Sequence, residues 1–432
     1  MISLLYTLLC AALGAVVCGS IIYLLTLLAA ALRAAPRRPA PAPPALRLTV
    51  LVPAHDEELV LAQTLDSLGA QTYPAALYDI LVIADNCADS TADIARARGA
   101  TVWERVNPSA RGKGHALNWA IAPLLASPRP AEAFIVIDAD TFAAPDFLSA
   151  VAARLSQDTN RQGFCALQGR YGVLNAGDGW RAALMSAAFD LVNHVRPLGR
   201  DRLGLSAGLK GNGMAFTRAV FARVAWRGDS LTEDLDFGLD LARGHGVRVG
   251  YAPEARVWAQ MPTHAAQAAS QRRRWEHGRR ASAFRRALPL LWEGMTRRQP
   301  LLVDAALDLL LPPLAELAAL MLAWLGAIAV GVARHWLPCA AAWAGAGALA
   351  LLGFSLYVLG GLRVAGASRA AYLALLRAPF YAFWKLALLA AGRRGKSTPK
   401  DAPPEWVRTA RTPLSAPASS PTTASPTEAR MP

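Results

Sequence analysis

The chain has 432 residues, 54% of them hydrophobic and only 18% charged, with 45 Lys and Arg against 31 Asp and Glu for a formal charge of +14. So much apolar content excludes a disordered chain, and the length is a prior of roughly two to three domains. Five scattered cysteines (Cys10, Cys18, Cys87, Cys165 and Cys339) without a CxxC pair argue against a disulfide scaffold and a structural zinc site.

Ile2 to Leu32 carries no charge and exceeds the roughly 20 residues a helix needs to span a bilayer. It lacks a basic leading region and is too long for a signal-peptide core, so 1–33 reads as a membrane anchor. Arg33, Arg37 and Arg38 follow at once, and the positive-inside bias places the chain beyond them in the cytoplasm. The Ala- and Arg-rich composition suggests a bacterial inner membrane. Residues 34–46 are Pro-rich and read as a stiff spacer.

From 47 to 265 the composition is that of a soluble domain, and apolar runs alternate with helical spacing. Strands are predicted over 48–52, 80–84, 101–106 and 134–137, and helices over 57–70, 91–98 and 116–125. Repeated βα units predict an α/β fold with a mainly parallel sheet and function at the carboxyl ends of its strands. Acids stand at those ends: Asp56 and Glu57, then Asp85, then Asp138 and Asp140. Two look-alikes fail. Gly112–Leu117 lacks the third glycine of a dinucleotide fingerprint, and Gly395-Lys396-Ser397 lacks the first glycine of a Walker A loop.

Three clusters carry chemistry. Strand alternation sends Asp138 and Asp140 to one side, which suits a hard cation, Mg²⁺ or Mn²⁺, shared with a diphosphate; the alternative is a turn cap. Ser230 and Glu233 match a capping box for a helix running to about Ala242. That box would fix Asp234 at a helix start, where a carboxylate can serve as general base. On a helix, Gln271, Arg274, Trp275 and Gly278 share one face; the Arg suits a phosphate and the Trp a sugar ring.

Nine arginines between Gln271 and Arg298, against Glu276 and Glu293, mark 266–300 as basic interfacial helices on anionic lipid. Residues 301–363 read as a transmembrane hairpin, its apolar stretches 309–333 and 336–362 joined through Arg334 and His335. Residues 370–392 read as an interfacial helix, or else a third C-terminal span. The rest, 393–432, reads as a cytoplasmic tail with a disordered end.

Seven segments in order, PAHDEE (53–58), IADNCADST (83–91), RGKGHALN (111–118), DAD (138–140), GLKGNGMAF (208–216), TEDLD (232–236) and QRRRW (271–275), together resemble glycosyltransferase family 2. The resemblance is to its membrane-embedded branch of cellulose, chitin, hyaluronan and poly-N-acetylglucosamine synthases. It implies a GT-A-type domain over 47–265 flanked by one N-terminal and at least two C-terminal membrane helices, and an inverting, metal-dependent transfer from a UDP-sugar carrying glucose or N-acetylglucosamine. Asp56, Glu57, Asp85, Lys113, Asp138, Gln271, Arg274 and Trp275 would bind the nucleotide sugar. Asp138 and Asp140 would hold the metal, and Asp234, beside Glu233, would be the base. Gly211, Asn212, Gly213 and Trp275 would line the acceptor end. Glu405–Thr409 (EWVRT) is similar to a tail segment of some members. The implied acceptor is a growing glycan at the cytoplasmic face of the bilayer, or alternatively a lipid. Partner subunits for export fit the resemblance, and a nucleic-acid partner does not. The chain departs from the pattern at His55, where many members carry Asn or Tyr. It also has fewer spans than cellulose synthases, which argues against a wide polymer channel.

Overall fold

The computed structural model describes residues 2–33, 46–128, 130–158, 163–227, 232–261, 265–378 and 380, with the side chains of 265–277 and 281 outside the description. The chain opens with α1 (Ile2–Leu32) and continues through β1 (Leu48–Ala54), α2 (Leu61–Gly69), β2 (Tyr78–Asp85), α3 (Thr91–Ala97), β3 (Thr101–Arg105), α4 (Lys113–Leu125) and β4 (Ala133–Val136). Next come β5 (Thr141–Ala143), α5 (Phe147–Asp158), β6 (Ala166–Val173), α6 (Trp180–Phe189), a π-helical stretch (Asp190–Val195) and α7 (Arg196–Arg202). β7 (Met214–Thr217), α8 (Arg218–Arg223), α9 (Glu233–His245) and β8 (Val249–Ala259) complete the domain. Five helices follow: α10 (Ala265–Thr296), α11 (Pro300–Leu310), α12 (Leu314–Ala333), α13 (Ala340–Ala365) and α14 (Arg369–Leu375).

The four predicted strands are present, and the sheet they found is mixed rather than mainly parallel throughout. Its order is β3-β2-β1-β4-β7-β6-β8-β5. The block β3-β2-β1-β4 is parallel, as βα repeats require. β7 then runs antiparallel to both β4 and β6, β6 pairs parallel with β8, and β5 is antiparallel to β8. Helix starts also differ from expectation. α2 begins at Leu61 instead of 57, because Glu57–Val60 forms a turn tied to the loop after β2 through Glu57 N–H donating to Thr91 Oγ1 at 2.8 Å. α4 begins early, at Lys113, because Gly112 supplies a φ of +119° that favours glycine. α9 begins at Glu233, making that residue the first of the helix, whereas a capping box would place it third; Ser230 lies outside the described residues.

Two packed layers hold the sheet. β4 is buried along its whole length, as a central strand covered on both faces should be. The face toward α9 carries an aromatic cluster in which Phe237 of α9 lies 4.5 Å from Trp226, 5.5 Å from Phe216 and 6.0 Å from Phe221, centroid to centroid. Burial of such rings contributes about 1.5–3 kcal/mol each, which fixes the start of α9 against the sheet.

α1, α12 and α13 are each long and apolar enough to cross a membrane, matching the expected anchor and hairpin. Small residues let them approach closely: a Cβ on Gly14 would stand 2.6 Å from the Trp324 ring, and one on Gly353 2.9 Å from Ile21. Trp324 Nε1 donates to the Cys10 carbonyl at 3.0 Å. At one end, Ser3 Oγ donates to Trp336 O at 2.7 Å, beside the short turn joining α12 to α13. At the other end, a Cβ on Gly199 of α7 would stand 2.2 Å from the Leu27 carbonyl, and Arg170 of β6 donates to Ala365 O at 2.8 Å. The catalytic-size domain therefore sits at one end of all three helices. The Pro-rich spacer (34–45), most of the expected 370–392 helix, the 393–432 tail and Glu405–Thr409 lie outside the described residues.

Candidate active site

The carboxyl ends of β1, β2 and β4 open on one edge of the parallel block, so the acids after each strand gather there. The loops after β1 and β2 interlock. Asp56, at a φ of +52°, accepts from Ala88 N–H at 2.7 Å, and Asp89 accepts from Glu58 N–H at 3.1 Å. His55 Nδ1 donates to the Asp85 carbonyl oxygen at 2.6 Å. Asp85 itself is buried; its carboxylate is ion-paired with the equally buried Arg105 and accepts from Asn86 Nδ2 at 2.9 Å and Gly112 N–H at 3.3 Å. Arg105 also donates to Ala110 O at 2.9 Å, so one guanidinium joins the β2 end to the loop that carries Lys113. Nothing local in the sequence marks Arg105 as that partner.

The DAD segment is braced from both sides. Thr64 Oγ1 donates to Ala139 O at 2.7 Å and accepts from Thr141 N–H at 3.1 Å. Asn212 Oδ1 accepts from Asp138 N–H at 3.2 Å while its Nδ2 donates to Thr141 Oγ1 at 2.8 Å. Asp138 stays one-third exposed, and Asp140 is 8% exposed. Lys113 reaches over to pair with the Asp138 carboxylate and donates to the Gly211 carbonyl. The expected acceptor loop divides by position. Gly211 is next to Asp234, since a Cβ there would lie 3.4 Å from Oδ2. Asn212 is fully buried with its amide spent on the brace. Gly213 is buried under Val257, whose Cγ2 would stand 2.8 Å from an added Cβ. Asn212 and Gly213 thus brace the loop, and Gly211 faces the Asp234 carboxylate. Gln168 clamps the same loop, accepting from Lys210 N–H and donating to Asn212 O, each at 2.8 Å.

Glu233 and Asp234 open α9. Burial raises the Glu233 carboxyl to about 7, and the adjacent Asp234 charge adds to the rise. Burial likewise raises Asp234, while the Leu235 N–H and the ammonium groups of Lys113 and Lys210 pull it back. Lys113 is raised as well, but toward its charged form: burial opposes its charge, while Asp138 foremost, then Glu233 and Asp234, hold the ammonium above its usual range. One lysine therefore interacts with carboxylates from segments about a hundred residues apart. The backbone of 271–275 lies within α10, on a helix as predicted, and the side chains of Gln271, Arg274 and Trp275 are outside the described residues. Farther along, α10 is zipped to α9: Ser282 Oγ donates to Asp236 Oδ1 at 3.2 Å and Arg286 Nη1 to Asp240 Oδ1 at 2.8 Å.

Two donor sets are candidates for a cation. Ligand atoms of Asp56, Cys87 and Asp89 lie within 4.8 Å of one another. Burial pushes the Cys87 thiol up to about 11, however, so this set offers a neutral sulfur and carboxylates already accepting backbone N–H groups. Mg²⁺ and Mn²⁺ prefer oxygen. Asp138 and Asp140 provide it at a strand end and fit the expected ion better.

Residues 43–278 match the family model described as glycosyltransferase like family 2. The probable glycosyltransferase YdaM of Bacillus subtilis is 26% identical over 239 residues, 54% of this chain and 55% of that protein. A beta-monoglucosyldiacylglycerol synthase of Trichormus variabilis is 29% identical over 197 residues, 44% of this chain and 40% of that protein. The matched stretch thus spans about half or less of these curated relatives. Among solved structures, mannosyltransferase PcManGT from Pyrobaculum calidifontis, determined with GDP-Man and Mn²⁺, aligns with a TM-score of 0.51 at 21% identity, covering 86% of this chain and 98% of that one. At that identity the likeness is one of fold, and it extends over the flanking helices as well as the sheet domain.

Proposed function

The chain belongs to glycosyltransferase like family 2, and on that premise we propose that it transfers one hexose from a UDP-sugar to the hydroxyl of a membrane lipid, with inversion. The observation that carries this reading is Lys113, whose single ammonium links Asp138, the Gly211 carbonyl and the Glu233–Asp234 pair in one cleft. The cleft stands at the membrane end of the domain, and the matched diacylglycerol synthase supports a lipid acceptor.

In the reaction, the acceptor hydroxyl enters past Gly211 and gives its proton to Asp234 Oδ2. Its oxygen bonds to the anomeric carbon as the bond to the diphosphate oxygen breaks, and the electron pair leaves with UDP. Lys113 shifts from Asp138 toward the departing diphosphate, where a preorganised cation stabilises developing charge. A bound Mg²⁺ or Mn²⁺, held by Asp138 and Asp140, would neutralise the same oxygens. Asp56, Glu57 and Asp85 would serve the uridine end, and the family resemblance assigns Gln271, Arg274 and Trp275 to the diphosphate. A carboxyl raised by burial is a stronger base than an ordinary aspartate and so better able to take a hydroxyl proton.

A second reading is stepwise addition to a growing glycan, favoured by the QRRRW segment on α10. Purified full-length protein in nanodiscs, given labelled UDP-glucose, UDP-N-acetylglucosamine or GDP-mannose, separates the two. One organic-soluble product supports the lipid acceptor, a ladder of products supports the glycan, and absence of transfer with every donor rejects both. Asp140→Ala should lower Mn²⁺-dependent UDP affinity about tenfold or more, read by calorimetry with and without chelator; unchanged affinity would remove Asp140 from the metal site.

A further inference from the structure

Below the transfer carboxylates, α7, α10, α11 and the 208–213 loop bring together Arg196, Arg200, Lys210 and Arg279. Three carboxylates answer them among the described residues: Asp304, Asp308 and, through Lys210, Asp234. Arg196 Nη2 donates to Asp308 Oδ1 at 3.1 Å, Arg200 Nε donates to Asp304 Oδ2 at 2.7 Å, and Arg279 donates to the Asp308 carbonyl. Tyr23 of α1 completes the set by donating to Asp304 Oδ1 at 2.7 Å. One positive charge is left over. Two donors are left over as well. Arg196 is 6% exposed, and its Nε has no hydrogen-bond partner. Lys210 Nζ makes no hydrogen bond or ion pair among the described residues. Arg200 and Lys210 both flank the backbone at Gly208: a Cβ there would stand 3.6 Å from Arg200 Nη1 and 3.9 Å from Lys210 Nζ.

We infer that this basic pocket binds the phosphate group of a membrane phospholipid, seated against Lys210 and Arg279 with Arg196 and Arg200 behind. Buried donors without acceptors are costly and are satisfied by recruiting one; phosphate offers several oxygens to guanidinium forks. Burial pushes Lys210 down to about 8, with Asp308 opposing and Arg196, Arg279 and Arg200 adding to the shift. Arg279 is lowered for the same reasons. A lipid is the source favoured by position, since Tyr23 belongs to a membrane helix and α12 begins at Leu314, only a few residues beyond Asp308. The pocket adjoins the base, because Lys210 also acts on Asp234. A phosphate held there would set the depth of lipid beside the cleft, and this purpose alone rests on the glycosyltransferase reading.

The test uses the full chain in nanodiscs of a phosphate-free galactolipid, with no sugar donor present. Phosphatidic acid, diacylglycerol or inorganic phosphate is added in turn, and retention is read by native mass spectrometry alongside the unfolding midpoint. Expected are retention of phosphatidic acid with a raised midpoint, no retention of diacylglycerol, and weakening of at least tenfold in Lys210→Met and in Arg279→Gln, with Lys210→Arg keeping most of the affinity. Using two variants keeps the test intact if one fails to fold. Equal retention of diacylglycerol, or wild-type retention of phosphatidic acid by both folded variants, overturns the site. Inorganic phosphate binding as well as the lipid overturns the lipid assignment. Sugar transfer without lipid retention sinks this inference alone; retention without transfer sinks the proposed activity alone.

Discussion

The two ends of the cleft treat their acids differently. At the β1–β2 end, Asp85 is buried with a full complement of partners: Arg105, Asn86 and the Gly112 N–H. At the β4–α9 end, Glu233 and Asp234 are adjacent like charges, raised by burial and answered mainly at a distance by Lys113 and Lys210. A compensated acid holds loops in place. An undercompensated one retains the capacity to accept a proton, at some cost in stability. The fold spends its rigidity on one end so that the other can be reactive.

The sharpest break of that contrast is Asp234→Asn, which should lower kcat by about 10³-fold with UDP affinity nearly unchanged; persistent turnover would move the base elsewhere. Lys113→Met should cost about 10²-fold in kcat. It should also move the acidic limb of the pH–rate profile upward, because the charge that opposes protonation of Glu233 and Asp234 is gone. Arg105→Met tests the compensated end. Leaving Asp85 buried without its ion pair should cost about 3–5 kcal/mol of stability, seen in denaturant unfolding, and raise the donor KM more than it lowers kcat. A loss confined to kcat would assign Arg105 to chemistry instead.

The smallest effect is the most diagnostic. Glu233→Gln removes the like charge beside Asp234, so the acidic limb should shift to lower pH. Its stability effect has a definite sign. The Glu233 carboxyl titrates near 7 when folded against an ordinary 4.5, so folding favours its protonated form; that stabilisation is present below 4.5 and is lost as pH rises through 7. The Gln variant should therefore gain in unfolding midpoint over wild type at pH 8 and show little gain at pH 4. An identical difference at both pH values would mean that Glu233 is not raised.

Much of this was legible in the chain because the information is local. Val50–Val52, Ile80–Ala84 and Phe134–Val136 are runs that only a covered strand accommodates, and the acids follow them at once. The three long apolar helices were readable for the same reason, since uninterrupted apolar runs of that length stand out in the chain. The later strands were not. β6 and β8 contain Gly169, Gly172, Pro253 and charged residues that mask their alternation, and their pairing spans some eighty positions. The braces were equally hidden: Thr64, Gln168 and Arg105 look ordinary until the fold sets them against Ala139, Lys210 and Asp85. The 208–213 loop stood out by its glycines, yet Gly211 faces Asp234 while Asn212 and Gly213 pack inward, a division made by Thr141 and Val257 far away in sequence.

The first helix is fastened at both ends, to Trp336 through Ser3 and to Gly199 at Leu27. Those two points lie about 36 Å apart along an α-helix, slightly more than a hydrocarbon core of roughly 30 Å. The fastened length of α1 is therefore set, and a bilayer of different thickness around it would have to be met by tilting or by deforming the lipid. Acyl-chain length in a surrounding bilayer would thereby alter the distance from the headgroups to the domain end of α1, with every residue of the candidate site unchanged.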